Sequence, residues 1–440
     1  MSTKYISSID YPYTKTWDKN NTNVQISITA LSISMINAIR RTIISQTKSF
    51  GFRTEPYEKN DVNIITNDTA LNNQIICHRI GMIPIHIPNI NFKIDDYEFI
   101  IDVSNESNFP KSVTSKDFKI LQISNNKYLS EKEVEKIFPK DPISGDYITI
   151  TKLKPSYNII NYKLDSYKEE LLNTKGRKFK FYLKAKAVLS QGDENSRFSP
   201  VTSISYSYKV DEEKAKKAEI EYIKNELVDM KEQKLTPKTN EQLSRYFNTT
   251  LKERYYYEND NGDPTHFVFN LESVGVIPPL VIFHRGIQSL IDKVKSFLIN
   301  VKSYNGNIIK FSPSSNIPDG FQIIVINEND TLGNIIQESF FNKFCDTEEP
   351  VLDYIGYKRI HPLEEKIIIN MKSSKYKTED SLITNIFTPG CNSIIRKLTG
   401  IQNNMEQQSD FIKELLSFLM KELLSFISFI ILLVPRDNEA

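Results

Sequence analysis

Apolar positions along this chain switch between a period of two and a period near 3.6, and each switch marks an element. Val24, Ile26, Ile28 and Ala30 alternate with polar neighbours, as in a half-buried strand. The next stretch, LSISMINAIRRTIISQ, repeats Ile36, Ile39, Ile43 and Ile44 at helical spacing. Residues 51–110 are strand-rich with turn material at Asn67–Asn73, and period two returns at Tyr147–Ile150 and Phe179–Ala187. Residues 211–234 read as a surface helix, with Glu212–Lys216 and Glu213–Lys217 at i,i+4 and a thin seam of Ile220, Ile223 and Leu227. The strand HFVFNLESVGV follows a polar loop. Pro278 and Pro279 then open a long helix with Phe283, Ile287, Leu290, Ile291, Val294, Leu298 and Val301 on one face. Residues 303–320 gather Gly, Asn, Ser and Pro and form the best linker candidate. A smaller unit comes last: strand FQIIVIN, helix TLGNIIQESFFNKF with Leu332, Ile336 and Phe340 at i, i+4, i+8, strand KIIINMKSS, and one or more terminal helices. The reading is an α+β chain of sheets with helices packed on one face. Such a layer leaves an apolar helix face that must be covered.

Composition narrows the chemistry. The chain has 440 residues, a length that favours roughly three domains. Its 39% hydrophobic and 25% charged residues supply a sizeable core, and 56 Lys+Arg against 55 Asp+Glu leave a net charge of +1. That balance lacks the basic footprint of a protein held mainly by nucleic-acid phosphates. Gly390 and Gly400 are the closest pair of glycines, so GxGxxG, GxxxxGK and GxSxG loops are excluded. Cys77, Cys345 and Cys391 are far apart, and the histidines form no HExxH, which removes zinc-ligand spacing and a disulfide framework. No compact Asp-x-Asp-x-Asp triad is present for a two-metal centre. Catalytic residues, metal ligands and cofactors are therefore expected to be none. The sparse thiols and the polar start, MSTKYISSIDYPYTK, point to a reducing, intracellular setting without a secretory leader.

Several features keep two readings. Lys178, Lys180, Lys184 and Lys186 share one face of a strand, either solvated or set against nucleic acid or an acidic partner. His78 and His361 each read as a satisfied buried histidine or as a contact to another polypeptide, and Asp95–Asp96 and Glu348–Glu349 as solvated surface. The tail repeats KELLSF, then runs from Leu423 to Val434 broken only by serines. This is shorter than the ~20 apolar residues of a membrane span, so a core helix with an exposed or partner-bound end is preferred to an anchor.

Three segments carry a family resemblance. Asn37, Ala38, Ile39, Arg40 and Arg41, followed by His78, Arg79, Ile80, Gly81, Met82, Ile83 and Pro84, resemble the N-A-L-R-R helix and H-R-L-G-L-I-P element of alpha-type RNA polymerase subunits. These comprise the bacterial alpha subunit, its archaeal D-type equivalent and the third-largest subunit of RNA polymerase II. Glu272, Ser273 and Gly275 before the long helix are similar to the end of the same family, while ITKLKPS and NSRFSPVTSISY resemble its intervening domain. Asp330, Thr331, Leu332, Gly333 and Asn334, then Gly356, Tyr357, His361, Pro362, Leu363 and Glu364, resemble the small partner subunit, archaeal L or the eleventh subunit of RNA polymerase II.

The resemblance implies a non-catalytic assembly platform for a DNA-directed RNA polymerase, with both halves of the alpha-like dimer on one chain, a fusion that large DNA viruses encode. It divides the chain into a first dimerisation part at 1–50, a strand-rich insert at 51–205, a second dimerisation part at 206–302 that includes the charged helix, the linker at 303–320, an L-like unit at 321–425 and a tail at 426–440. Asn37, Arg40, Arg41, His78, Arg79, Gly81 and Pro84 would meet the large subunits. Phe283, Ile287, Leu290, Ile291, Val294 and Leu298 would pair in cis with Leu332, Gly333, Asn334, Ile336 and Phe340. Implied partners are the largest and second-largest subunits and small subunits like the tenth and twelfth, with DNA met only through the complex and no membrane. The setting would be a cytoplasmic viral factory and virion, or otherwise a nucleus. The family's zinc loop or iron–sulfur cluster is not expected, because Cys77 stands alone in that region. The rival reading is a free-standing nucleic-acid-binding regulator using the Lys178–Lys186 face.

Overall fold

The computed structural model describes residues 4–13, 21–107, 109–155, 178–232, 239–303, 306, 308–314, 317–408, 411–413 and 415–416. The chain divides into two compact units, one built from residues 1–44, 201–273 and 278–417, the other centred on 45–200. The first unit opens with β1 (Ile6–Asp10) and β2 (Asn23–Thr29), paired antiparallel with Ile9 opposite Ile26. Val24, Ile26 and Ile28 face inward, as their alternation predicts. Helix α1 (Ile33–Gln46) follows and buries Met35, Ile36, Ala38, Ile39 and Ile43 on one stripe.

The second unit is strand-rich. In order it contains β3 (Lys48–Phe52), β4 (Val62–Asn67), α2 (Asn73–Gly81), β5 (Tyr97–Asn105), β6 (Lys111–Thr114), β7 (Phe118–Gln122), β8 (Lys127–Tyr128), α3 (Glu131–Ile137), β9 (Thr149–Leu153), β10 (Phe179–Ala185) and β11 (Ala187–Gln191). Five of the strands form a sheet in the order β4-β10-β5-β7-β8, and β3–β11 and β6–β9 form two ribbons. Its core is aromatic: the Phe52 and Phe118 rings stack at 5.7 Å, Phe118 and Phe138 at 4.6 Å, and Phe99 meets Phe52 edge-on at 5.2 Å.

The chain then re-enters the first unit through β12 (Val201–Tyr208), α4 (Glu212–Glu232), α5 (Asn240–Tyr246), β13 (His266–Ser273) and α6 (Pro279–Lys302). A second sheet and its helices come from β14 (Ile309–Pro313), β15 (Phe321–Ile326), α7 (Asp330–Phe340), β16 (Tyr354–Arg359), β17 (Lys366–Lys372) and α8 (Thr388–Glu406). Both sheets have four strands, ordered β1-β2-β13-β12 and β14-β15-β17-β16. Helix α6 lies against β2 and β13, where Phe283 meets Phe269 edge-on at 5.4 Å, and α7 lies against β16 and β17. The α+β class of sheets with helices on one face is therefore the architecture found.

Three expectations change. Residues 309–313, inside the predicted linker, form edge strand β14 on β15, which leaves only 303–308 as the connection. The Ile-Ile-Lys-Phe run was too short to stand out among Gly, Asn and Ser, but an edge strand needs a single partner. Strand β12, cut by the expected boundary at 205, belongs whole to the first sheet, with Val201–Tyr208 on β13. The expected Glu212–Lys216 pair does not form, because Glu212 turns to Lys252 at 2.9 Å. Among the described residues no helix is long and apolar enough to cross a membrane. The Leu423–Val434 run lies outside the described residues.

Candidate functional site

Outside the strand pairs, the most extensive contact between elements is that of α6 with α8, which joins the two sheet-and-helix layers of the first unit. Helix α6 runs along α8, and α8 also touches α7 and β1. The predicted α6 positions Phe283, Ile287, Leu290, Ile291, Val294 and Leu298 are all buried, as are Leu332, Gly333, Ile336 and Phe340 on α7. Asn334 is exposed and takes no part. It falls between Gly333 and Ile335 on the far side of α7, where a motif position alone does not fix direction. Gly333 is close-packed, because a Cβ there would stand 2.4 Å from the Tyr357 ring. This contact shows that much of the α7 face covers its own sheet.

Most of the surface facing α6 comes from α8, whose Cys391, Ile394, Leu398, Ile401 and Met405 are buried. The sequence reading left this helix unassigned, although its spacing of three and four residues was visible. Phe387, just before α8, is fully buried and joins the layers, with ring centroids 6.0 Å from Phe297, 5.6 Å from Phe340 and 6.4 Å from Phe311. Polar bridges surround this apolar seam. Gln402 Nε2 donates to Gln288 Oε1 at 3.2 Å, and His284 Nε2 lies 3.3 Å from Glu406 Oε1. Lys293 and Glu328 pair at 2.8 Å with side chains only 11% and 18% exposed. The Tyr5 amide donates to Asn404 Oδ1 at 2.7 Å.

Helices α1 and α7 are tied at both ends. The Ser34 amide donates to Glu338 Oε2 at 3.2 Å, and Arg41 Nε donates to Thr331 Oγ1 at 3.0 Å. Arg41 remains exposed, but part of its hydrogen-bonding capacity is spent inside the chain. Arg40 is half-buried, and its Nε donates to Asn37 Oδ1 at 3.1 Å. Asn37, Arg40 and Arg41 therefore form one cluster on α1.

His78, Arg79, Gly81 and Pro84 belong to the second unit. His78 is exposed, so the buried-histidine reading fails there: it sits on the outer face of α2, opposite Ile76 and Ile80. Arg79 Nη1 donates to the Ile150 carbonyl at 2.7 Å. Gly81 accommodates the guanidinium of Arg197, whose Nη1 would lie 2.1 Å from an added Cβ. The Arg197 side chain is only 3% exposed, bonds Thr54 and pairs with Glu55 at 3.2 Å. The HRIG and NSRFSP motifs thus meet at one buried arginine, a pairing that needs the fold to be seen. Nearby, the Arg53 guanidinium holds the Glu194 carboxyl below the usual carboxylate range.

His361 is exposed as well, in the β16–β17 loop with Pro362, Leu363 and Glu364, and its Nδ1 accepts from the Leu363 amide at 3.1 Å. Arg359 braces this loop through the Pro362 and Glu364 carbonyls at 2.6 and 3.2 Å, leaving Leu363 87% exposed. Glu272 is half-buried, Ser273 is buried, and Gly275 turns the chain toward α6 at φ +96, a conformation that favours glycine. Three of the four lysines on the Lys178–Lys186 face are already paired. Lys178, Lys180 and Lys184 pair with Glu106, Asp102 and Glu98 on or beside β5 at 2.8, 3.0 and 3.1 Å. Hydrogen bonds to Glu106 and Glu98 raise the Lys178 and Lys184 ammonium groups above the usual lysine range. Among the described residues no group of three or more His, Cys, Asp or Glu converges on a metal position.

Comparison with known proteins bears on the first sheet, the strand-rich unit and most of α6. Residues 25–294 match the family model described as the RNA polymerase Rpb3/Rpb11 dimerisation domain. DNA-directed RNA polymerase subunit Rpo3 of Thermococcus kodakarensis is 31% identical over 108 residues, which are 24% of this chain and 39% of that protein. The chain thus spans about two fifths of the length of the archaeal relatives it matches. DNA-directed RNA polymerases I and III subunit RPAC1 of Bos taurus is 24% identical over 317 residues, 64% of this chain and 81% of that protein. Its Dictyostelium discoideum counterpart is 26% identical over 275 residues, 58% of this chain and 72% of that protein.

Proposed function

This chain belongs to the RNA polymerase Rpb3/Rpb11 dimerisation-domain family, and on that premise we propose that it is the non-catalytic assembly platform of a DNA-directed RNA polymerase, with both halves of the alpha-like pair on one chain. The observation that carries the reading is the burial of α6 against α8 within one compact unit. The first sheet lies within the matched residues. The second, at 309–372, lies beyond them, yet repeats the four-stranded arrangement with a helix layer and carries the Asp330–Asn334 and Gly356–Glu364 motifs. Such a platform performs no bond chemistry: it holds a preformed paired surface on which the two large catalytic subunits assemble, with small subunits like the tenth and twelfth at its flanks. It meets DNA only through the complex. A fusion of this kind suits a large DNA virus, whose polymerase would act in a cytoplasmic factory and travel in the virion, whereas a cellular one would act in the nucleus. The rival regulator reading loses its support, because three of its four lysines are already paired.

Within this proposal Asn37 and Arg40 on α1, with His78 and Arg79 on α2, face the large subunits, and Leu363 and His361 form a second contact. Arg40 carries the α1 contact more than Arg41, whose Nε is engaged by Thr331. The test is affinity purification of tagged wild type, Arg40→Glu and Leu363→Asp chains from the native source, with a melting curve for each isolated chain. Wild type is expected to bring down both large subunits, and Arg40→Glu to lose the second-largest while melting as wild type does. Absence of large subunits from the wild-type eluate would overturn the platform reading.

A further inference from the structure

The family reading leaves one prominent element unused. Helix α4 rises from the first unit on a face made by Ala215, Glu219 and Tyr222. Ala215 is 2% exposed, Glu219 accepts from Asn248 Nδ2 at 2.9 Å, and Tyr222 packs 5.7 Å from Phe247. At ~100° per residue, Ile220, Ile223 and Leu227 lie roughly 70–135° round from that face. They are incompletely covered: Ile220 is 71% exposed and neighbouring Val228 48% exposed, while Ile223 and Leu227 are partly buried. Isolated exposed aliphatics are ordinary, whereas a stripe at i, i+3, i+7 is the pattern of a helix expecting another helix.

Charge says which kind. Lys216, Lys217 and Lys224 fall within the same ~120° arc as the stripe. None of the three has an ion pair among the described residues. The nearest candidate, Glu212, is drawn off by Lys252, and Lys214, on another side of the helix, is taken by Glu258. Glu213 is the carboxylate on this arc, at its N-terminal end. The helix as a whole has five lysines and seven carboxylates, a negative balance that disfavours nucleic acid and anionic lipid. Three aliphatics without an aromatic are also a weak membrane anchor. What remains complementary is a surface that is apolar along its centre and acidic at its edge.

We propose that α4 is a docking helix for an amphipathic helix of a partner protein, whose apolar stripe covers Ile220, Ile223 and Leu227 and whose flanking carboxylates pair with Lys216, Lys217 and Lys224. The apolar contact supplies affinity, and the lysines set partner choice and orientation, as flanking charges do in paired helices.

Two fluorescent synthetic helices test this on the full-length chain. They share one leucine stripe at i, i+3, i+7 and differ only in carrying glutamates or lysines beside it. Anisotropy titrations should show the glutamate helix binding at least tenfold more tightly. The triple variant Lys216→Glu, Lys217→Glu, Lys224→Glu should reverse that order, and Ile220→Asp with Leu227→Asp should weaken the glutamate helix at least tenfold. Lys216, Lys217, Lys224 and Ile220 are exposed and Leu227 partly so, and melting temperatures should stay at the wild-type value. Equal binding of both helices, an order unchanged by charge reversal, or displacement of the glutamate helix by phosphatidylserine vesicles or duplex DNA would overturn the proposal. None of these substitutions touches the α6–α8 seam, so large subunits should still co-purify with every variant if the platform reading holds.

Discussion

Gly286 gives the sharpest test of how tightly the helices of the first layer are packed. A Cβ built there would stand 2.2 Å from Ile43 Cγ1, 3.1 Å from Cδ1 and 3.3 Å from Cβ. Carbon atoms in contact prefer about 3.5–4.0 Å, so the Ile43 side chain would have to retreat by more than an ångström. A rotamer change moves Cγ1 and Cδ1 but not Cβ, which shifts only with the α1 backbone. Gly286→Ala gains about 1 kcal/mol of helix propensity and loses about 1–3 kcal/mol to overpacking, a small net cost on its own. The coupling is more telling. Ile43→Ala alone should cost about 2–5 kcal/mol as a buried large-to-small change. With Gly286→Ala already present, the clash is relieved and part of the cavity is filled, so the same change should cost at least about 1 kcal/mol less. Two compact units make a single global unfolding free energy ill-defined. The assay is therefore native-state hydrogen exchange on the amides of 33–46 and 279–302, which reads local opening. Additivity within about 0.5 kcal/mol would mean that the two helices do not touch there.

Other expectations follow from single residues. Phe387→Ala should cost about 3–5 kcal/mol in exchange protection of α6 and α8 together, since its buried ring meets Phe297 and Phe340; loss confined to α8 would deny it a joining role. Glu194 has a folded value depressed by Arg53, so its stabilisation is present above its unfolded value near ~4.3 and fades as pH falls through the folded one. Glu194→Gln should accordingly flatten the acid side of the second unit's melting profile, and an unchanged slope would refute the link. Cys391 is fully buried in α8, and burial pushes its thiol up to about 12. Iodoacetamide at pH 8 followed by peptide mass spectrometry should leave it unmodified until the chain is denatured; native modification would mean that α8 is open.

How much of this was legible in the sequence depends on whether a feature is local. The period of α1 and α6 is written in consecutive residues, so Ile36, Ile39 and Ile43, and Phe283 through Leu298, were readable as buried stripes. The partner of a stripe is not local. Leu332, Ile336 and Phe340 looked like the surface that would face α6, but β16 and β17 take up much of that face and α8 supplies the rest. The lysine row likewise could not be judged until β5 was seen beside β10, because Lys180 and Asp102 are brought together only by strand register. Arg197 and Arg359 were missed for the same reason. Arg197 braces its motif from a short turn and Arg359 from the end of β16, and an arginine in a strand-rich segment carries no mark of that duty. Chemistry that demands fixed spacing, such as phosphate loops and zinc ligands, could be judged from the sequence because spacing is local.

The short connection gives the pairing its character. With β14 part of the second sheet, only residues 303–308 separate α6 from the first strand of the next layer. Six extended residues reach about 20 Å at 3.3–3.6 Å each, against about 60 Å for the longer linker expected from the sequence. A connection that short holds the second layer at high effective concentration beside α6, so association is unimolecular and needs little net interface energy. The Lys293–Glu328 pair is then better understood as a register device than as a source of stability. Burying two charges costs about as much as their attraction returns, but a shifted pairing would separate the Lys293 ammonium from Glu328. Apolar helix faces supply the free energy, the tether supplies proximity, and the polar bridges at Lys293, Gln402 and Arg41 select one arrangement among those the tether allows.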